Sequence, residues 1–220
     1  MSKPIIDIAK MEVAKPIIDV SKFNGRIEWP EVKSHIQRAI IRLGYRGWGM
    51  RGALVVDDRF HYNVRSCIYE NIPWDVYYFP QEISESEVGD AVDFIGETLS
   101  EYPDPGYIWI DSEYANGGAG RGDKISVHKR SVLLGMMRSF LENSSRKFRV
   151  GLYCSDAWYK DNINNDIAGF QNLWIARYSD KPPKNTYDWI LWQYTSKGEL
   201  PGIKGRVDLS VTKEVLSVKA

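Results

Sequence analysis

The chain has 220 residues, 43% of them hydrophobic, enough to build the core of one large domain. Lys+Arg and Asp+Glu both number 29, so the net charge is zero, and with no basic stripe to hold a phosphate backbone the sequence excludes nucleic acid as a partner. Cys67 and Cys154 fit neither a metal-ligand spacing nor a disulfide framework, and His35, His61 and His128 are scattered, so a zinc centre and a Ser-His-Asp triad lack their parts.

At the N-terminus KPIID occurs twice, ending at Asp7 and again at Asp19. Only the second copy is followed at once by Ser-Lys-Phe-Asn-Gly and a Trp29-Pro30 helix start, a connection short enough to join strand to helix. Asp19 is therefore assigned to the first strand, residues 1–14 to an N-terminal extension, and residues 15–220 to a single barrel domain. No basic region leads into a long apolar run, and no stretch approaches the roughly 18 apolar residues that span a bilayer. The expectation is synthesis in the cytoplasm without a signal peptide and no membrane insertion.

Eight strands follow in order: 17–21, 39–44, 75–79, 107–111, 149–153, 173–178, 190–194 and 207–210. Eight mainly parallel strands alternating with helices close a small α/β barrel. Ser84 and Glu87 form a capping box ahead of Val88, Ala91, Val92, Ile95 and Leu99 at helical spacing. A second long helix is predicted over 123–143, with Val132, Met136 and Phe140 on one face. Shorter helices are expected after Trp29, around 58–70, where Asp57-Asp58 reads as a solvated helix start, and after Ser155. Beyond the sixth strand Pro182-Pro183, Gly198 and Pro201-Gly202 leave little helical periodicity, so the second half of the barrel should be short of helices.

Polar residues recur at the C-terminal tips of these strands: Asp19, Tyr45, Tyr78, Asp111 with Glu113, Tyr153, Arg177 with Tyr178, Gln193 and Asp208. That is the face on which barrel active sites are built. In YIWIDSEY, a strand continued to Glu113 would turn Asp111 and Glu113 to the same side, with Cα atoms roughly 6.6 Å apart. Two such carboxyls can flank one glycosidic bond, one donating a proton to the leaving oxygen and one stabilising the developing cation. Crowding by Asp111, Asp19 and Asp208 would help keep Glu113 protonated. Clustered carboxylates can also hold a divalent metal, but no phosphate-cradling glycine loop accompanies them.

The residues just named carry a resemblance to the family 25 glycoside hydrolases, the lysozymes that cut the β-1,4 bond between N-acetylmuramic acid and N-acetylglucosamine in bacterial peptidoglycan. IIDVSKFNGRIEWPEVK resembles the opening segment of that family, AIIRLGYRG its second strand, DVYYF the third and YIWIDSEY the acidic strand. VGLYCSDAWY resembles its fifth strand, LWIARY the sixth and WILWQYTSKGELPGIKGRVDLSV the closing pair. Phe23-Asn24 stand where the family usually has an aromatic and then Gln, and Trp74-Asp75 where a glycine is usual. The resemblance implies a flattened, irregular (β/α) barrel, with Glu113 as general acid and Asp111 orienting or stabilising the reacting sugar. Asp19 and Asp208 would complete an acidic floor, and Tyr45, Tyr78, Tyr153, Trp174, Tyr178 and Gln193 would line the saccharide groove. It further implies a cofactor-free, metal-free monomer acting on peptidoglycan glycan strands after phage-type release. A catalytically silent glycan-binding barrel is the other reading; it should have lost a carboxylate, and none is missing.

Overall fold

A computed structural model describes residues 15–183 and 187–214. The N-terminal extension with its Asp7 copy lies outside the described residues. In chain order the elements are β1 (Ile17–Val20), α1 (Trp29–Val32), β2 (Arg38–Arg46), β3 (Leu54–Val56), α2 (Phe60–Glu70), β4 (Trp74–Phe79), α3 (Glu85–Leu99), β5 (Ile108–Asp111), α4 (Val127–Glu142), β6 (Val150–Ser155), α5 (Asp156–Asn162), α6 (Asn165–Ala168), β7 (Leu173–Ala176), β8 (Trp189–Gly198) and β9 (Val207–Thr212).

The strand order is β1-β9-β8-β7-β6-β5-β4-β2, and β1 also pairs with β2, so eight strands close into a barrel. β3 is a ninth strand, hairpin-paired to β2 outside the closed ring, and it is too short for alternation to mark it in the sequence. Seven barrel strands run parallel. β9 runs antiparallel to both neighbours, β8 and β1. That reversal was not expected, and it changes how Asp208 reaches the mouth: it is the second residue of β9, not its tip. Because β9 enters at the end where the others finish, its beginning lies level with their C-terminal ends.

Side chains alternate across each strand, so every second residue enters the barrel and the rest meet the helices. Ile17, Ile40, Trp109, Tyr153, Trp174, Ala176 and Leu191 form the inner cluster. Gly151 makes room for it, since a Cβ there would stand 2.3 Å from the Trp109 ring. The outer layer packs Ile18, Val20, Ile41, Val76, Tyr78, Ile110 and Leu152 against the helices.

Ser84 caps α3, its side chain accepting from the Glu87 amide, but the expected capping box is not closed: the Glu87 carboxylate accepts from Ile83 N–H, one residue before the cap. α4 begins at Val127, later than the predicted 123, because Ser126 caps it and a short 3₁₀ turn occupies Gly122–Lys124. Its buried face is Leu133, Leu134, Met137 and Leu141, and Phe140 is exposed. Of the three residues read onto one face, Val132 and Met136 are half-buried, with Met136 packed against the core, and only Phe140 is exposed. Described residues between β7 and β9 form no helix, as the loss of periodicity there indicated.

Candidate active site

One alternation step above the apolar inner layer, the barrel interior turns polar: Asp19 (β1), Arg42 (β2), Tyr77 (β4), Asp111 (β5), Tyr153 (β6) and Gln193 (β8). Asp208 joins them from β9, directly opposite Asp19 in the β1–β9 ladder. Glu113 lies two residues past the end of β5. The strand stops at Asp111 instead of continuing to Glu113, although Ser112 N–H extends the parallel pairing once more by donating to Tyr153 C=O at 2.9 Å.

The four carboxyls differ in environment. Asp111 is buried and one of its oxygens has no hydrogen-bond partner, a costly state for a charged group. Burial, then Glu113 and Asp19, push its pKa well above the usual range, while Arg42 draws it back toward the ionised form. Asp19 is likewise raised, by burial first and then by the charge of Asp208, its partner in the β1–β9 ladder, and Asp208 is raised by burial. Glu113 is open to solvent at the mouth, yet its carboxyl is sufficiently surrounded that desolvation, with Asp208 adding to it, raises its pKa to about 7. An acid with that value is about half protonated in neutral solution, whereas an ordinary glutamate is almost wholly ionised.

Gln193 ties this floor together. It is buried, its Oε1 accepts from the hydroxyls of Tyr153 at 2.9 Å and Tyr178 at 3.0 Å, and its Nε2 donates to Asp19 Oδ2 at 2.9 Å. Two hydroxyl donors on one side fix the amide so that its own donors must face the carboxylate. Tyr178 is 60% exposed and offers a ring face to the mouth.

Two of the expected groove residues lie elsewhere. Tyr78 is fully buried on the outer face of β4, its hydroxyl donating to Glu82 at 2.7 Å; the neighbour that reaches the carboxyls is Tyr77, whose pKa burial and the charges of Asp19 and Asp111 raise. Trp174 is sealed within the inner layer, packed on Trp109 and Tyr153 and donating to Ser210 Oγ, so it supports the floor from below and lines no groove. Tyr45 is half-buried beside Arg42 and Lys22, whose cations lie 5.5 and 6.0 Å from its ring centre.

Arg42 was not anticipated from the sequence. Its guanidinium is anchored by Asp57 at 2.6 Å and stacks 4.9 Å from the ring of Phe23, which is itself 80% exposed at the rim. Asp57 is not solvated: it is buried and also accepts from the Lys22 and Arg59 amides. Only Asp58 of the pair is exposed. A cation inside an otherwise apolar strand, AIIRLG, was the signal that could have found this pair, since such a charge needs a partner. Among the described residues no group of His, Cys, Asp and Glu is arranged to hold a metal ion, and no helix is long and apolar enough to cross a membrane.

A barrel whose mouth gathers four carboxyls of raised pKa is built as the glycoside hydrolases are. The chain belongs to the glycosyl hydrolases family 25, whose model matches residues 18–203. It is 25% identical over 201 residues to Lysozyme M1 of Streptomyces globisporus, covering 87% of this chain and 65% of that protein. The structure is similar to that of the modular autolysin LytC from Streptococcus pneumoniae, solved in complex with a synthetic peptidoglycan ligand, with a TM-score of 0.77, 26% identity and coverage of 91% of this chain and 47% of that one. The bacterial lysozyme from Streptomyces coelicolor shares the fold, with a TM-score of 0.71, 21% identity and coverage of 93% and 96%. The chain thus spans slightly under two thirds of Lysozyme M1 and about half of LytC.

Proposed function

We propose that the protein is a peptidoglycan lysozyme that hydrolyses the β-1,4 bond between N-acetylmuramic acid and N-acetylglucosamine. The observation that carries this reading is Glu113: a solvent-accessible carboxyl that keeps its proton to about pH 7, beside the buried Asp111. The names of the relatives, a lysozyme and an autolysin bound to a peptidoglycan ligand, support the same substrate class.

In this reading Glu113 gives its proton to the glycosidic oxygen as the bond from C1 to that oxygen breaks. The 2-acetamido oxygen of the muramic acid residue attacks C1 from the opposite face, and Asp111 stabilises the positive ring that results. Water, deprotonated by Glu113, then opens that ring and returns the proton to the acid, with the anomeric configuration retained. Asp19, Asp208 and Gln193 hold the floor, and Phe23, Tyr45 and Tyr178 offer aromatic surface to the glycan. The chain acts as a monomer on cell-wall glycan strands.

The test is clearing of a purified cell-wall suspension, with mass analysis and NMR of the released fragments. Muropeptides ending in reducing N-acetylmuramic acid, first formed in the β configuration, are expected. Co-sedimentation with walls without clearing would identify a binding barrel, and fragments ending in reducing N-acetylglucosamine would overturn the bond assignment.

A further inference from the structure

Glu113 stands just past the end of β5 and ahead of the 3₁₀ turns that lead to α4, outside any strand or helix, so something other than a strand ladder must hold its carboxyl in place. The side chains packed behind that segment form a continuous unit. Trp158, buried on α5, donates from Nε1 to Ser112 Oγ at 3.0 Å, and its ring meets Tyr114 edge to face at 4.4 Å between centres. It thus grips the residues on both sides of Glu113. On its other side the Trp158 ring carries the guanidinium of Arg130 at 4.9 Å.

Arg130 is unusual. It is only 7% exposed and forms no ion pair among the described residues. Its donors go to main-chain carbonyls instead: Gly122 and Asp123 at 3.2 Å, Ile125 at 3.3 Å and Asn162 at 3.4 Å. Burying a cation is expensive, and burial does lower its pKa, with the charge of Asp123 offsetting part of the effect. The same carbonyls could be met by water on an open loop. What the buried guanidinium adds is rigidity, tying the loop 122–125 to the end of α5 beneath the Trp158 ring.

We infer that Trp158 and, through it, Arg130 are positioning residues for Glu113, fixing the segment 112–114 by the neutral indole while leaving the carboxyl itself out of any ion pair. A lysine or arginine paired directly with Glu113 would fix it equally well but would draw its proton away. Burial and then the charge of Asp208 raise Glu113, and among the described residues Glu113 forms no ion pair. Holding the acid by an indole and a hydroxyl separates the two demands of place and protonation.

The inference rests on Glu113 as the acid, and three variants test it against wall glycan. Trp158→Phe keeps the ring for Arg130 and Tyr114 but loses the bond to Ser112; Arg130→Lys keeps the charge but loses the planar fork. For both we expect kcat to fall about tenfold to a hundredfold with KM little changed, as misplacement of a reacting group does. The alkaline limb of the kcat/KM profile should move down from about 7, because a loosened Glu113 is better solvated. Arg146→Lys is the matched control. That guanidinium also donates to two carbonyls, of Leu99 and Tyr102, and covers the Phe148 ring; it differs in pairing with Asp104 and in lying at the far end of the barrel. It should lower the melting temperature and leave the pH limb in place. If Trp158→Phe and Arg130→Lys behave like Arg146→Lys, the positioning role is wrong even where Glu113→Gln is inactive. If Glu113→Gln stays active, the acid assignment fails first.

Discussion

Asp19 and Asp208 face each other as directly paired residues of the antiparallel β1–β9 ladder. Like charges in such a pair repel, which favours a proton on one of the two, and the Gln193 amide donates to Asp19. Both carboxyls keep protons to higher pH in the folded chain than in the unfolded one. Above the unfolded value of roughly 3.9 the folded state therefore binds more protons, and stability must fall as pH rises toward the elevated folded values. Asp19→Asn should flatten that fall. Urea unfolding between pH 4 and pH 8 measures it, and an unchanged slope would show that the pair holds no such proton.

Glu113→Gln keeps the shape of the acid but cannot supply a proton, so turnover should drop about 10²- to 10⁴-fold with glycan binding intact. In the unsubstituted protein activity should decline above about pH 7, where the acid ionises. The stability effect has the opposite sign. The raised folded pKa of Glu113 penalises the native state once pH exceeds the ordinary glutamate range, so Glu113→Gln should gain stability at pH 8 relative to pH 4. Paired rate and unfolding profiles would reveal whether one group governs both.

Asp57→Asn should be severe, in contrast to a solvated carboxylate. It leaves the Arg42 guanidinium, whose side chain is only 13% exposed, without its counter-charge, a loss of about 3 kcal/mol or more. Asp58→Asn, removing a carboxylate that is 70% exposed, should cost at most about 1 kcal/mol. Denaturant midpoints of the two variants decide between these magnitudes.

The acetamido route makes a chemical prediction that no substitution supplies. Wall glycan whose muramic acid is N-deacetylated should be cut far more slowly, and no sugar should become attached to Asp111. Intact-mass measurement during turnover and rates on deacetylated walls check both; undiminished cleavage would exclude the route.

All eight barrel strands were legible because each combines β-branched or aromatic runs with a polar end, and the acidic floor emerged from the same tips. The misses have physical causes. In DVYYF two tyrosines stand side by side, and alternation places one inward without saying which. Register against β2 and β5 puts Tyr77 inside and Tyr78 behind Glu82. Asp57 looked solvated because local sequence shows only an acidic pair before a helix, whereas its burial depends on Arg42 approaching from a strand 15 residues earlier. Trp158 and Arg130 belong to helices whose periodicity reports burial but not what a buried donor reaches. The reversal of β9 left no trace, since a short strand reads alike in both directions.

That reversal also decides where the chain enters and leaves the barrel. β1 starts, and β9 finishes, at the end opposite the carboxyls, with Ile17 paired to Ser210 there. A reporter or binding module joined at Ile17 or Thr212 would hang beneath the barrel like a handle, at the end away from the carboxyls. The same scaffold can therefore be tethered, immobilised or combined with other modules without retuning its chemistry.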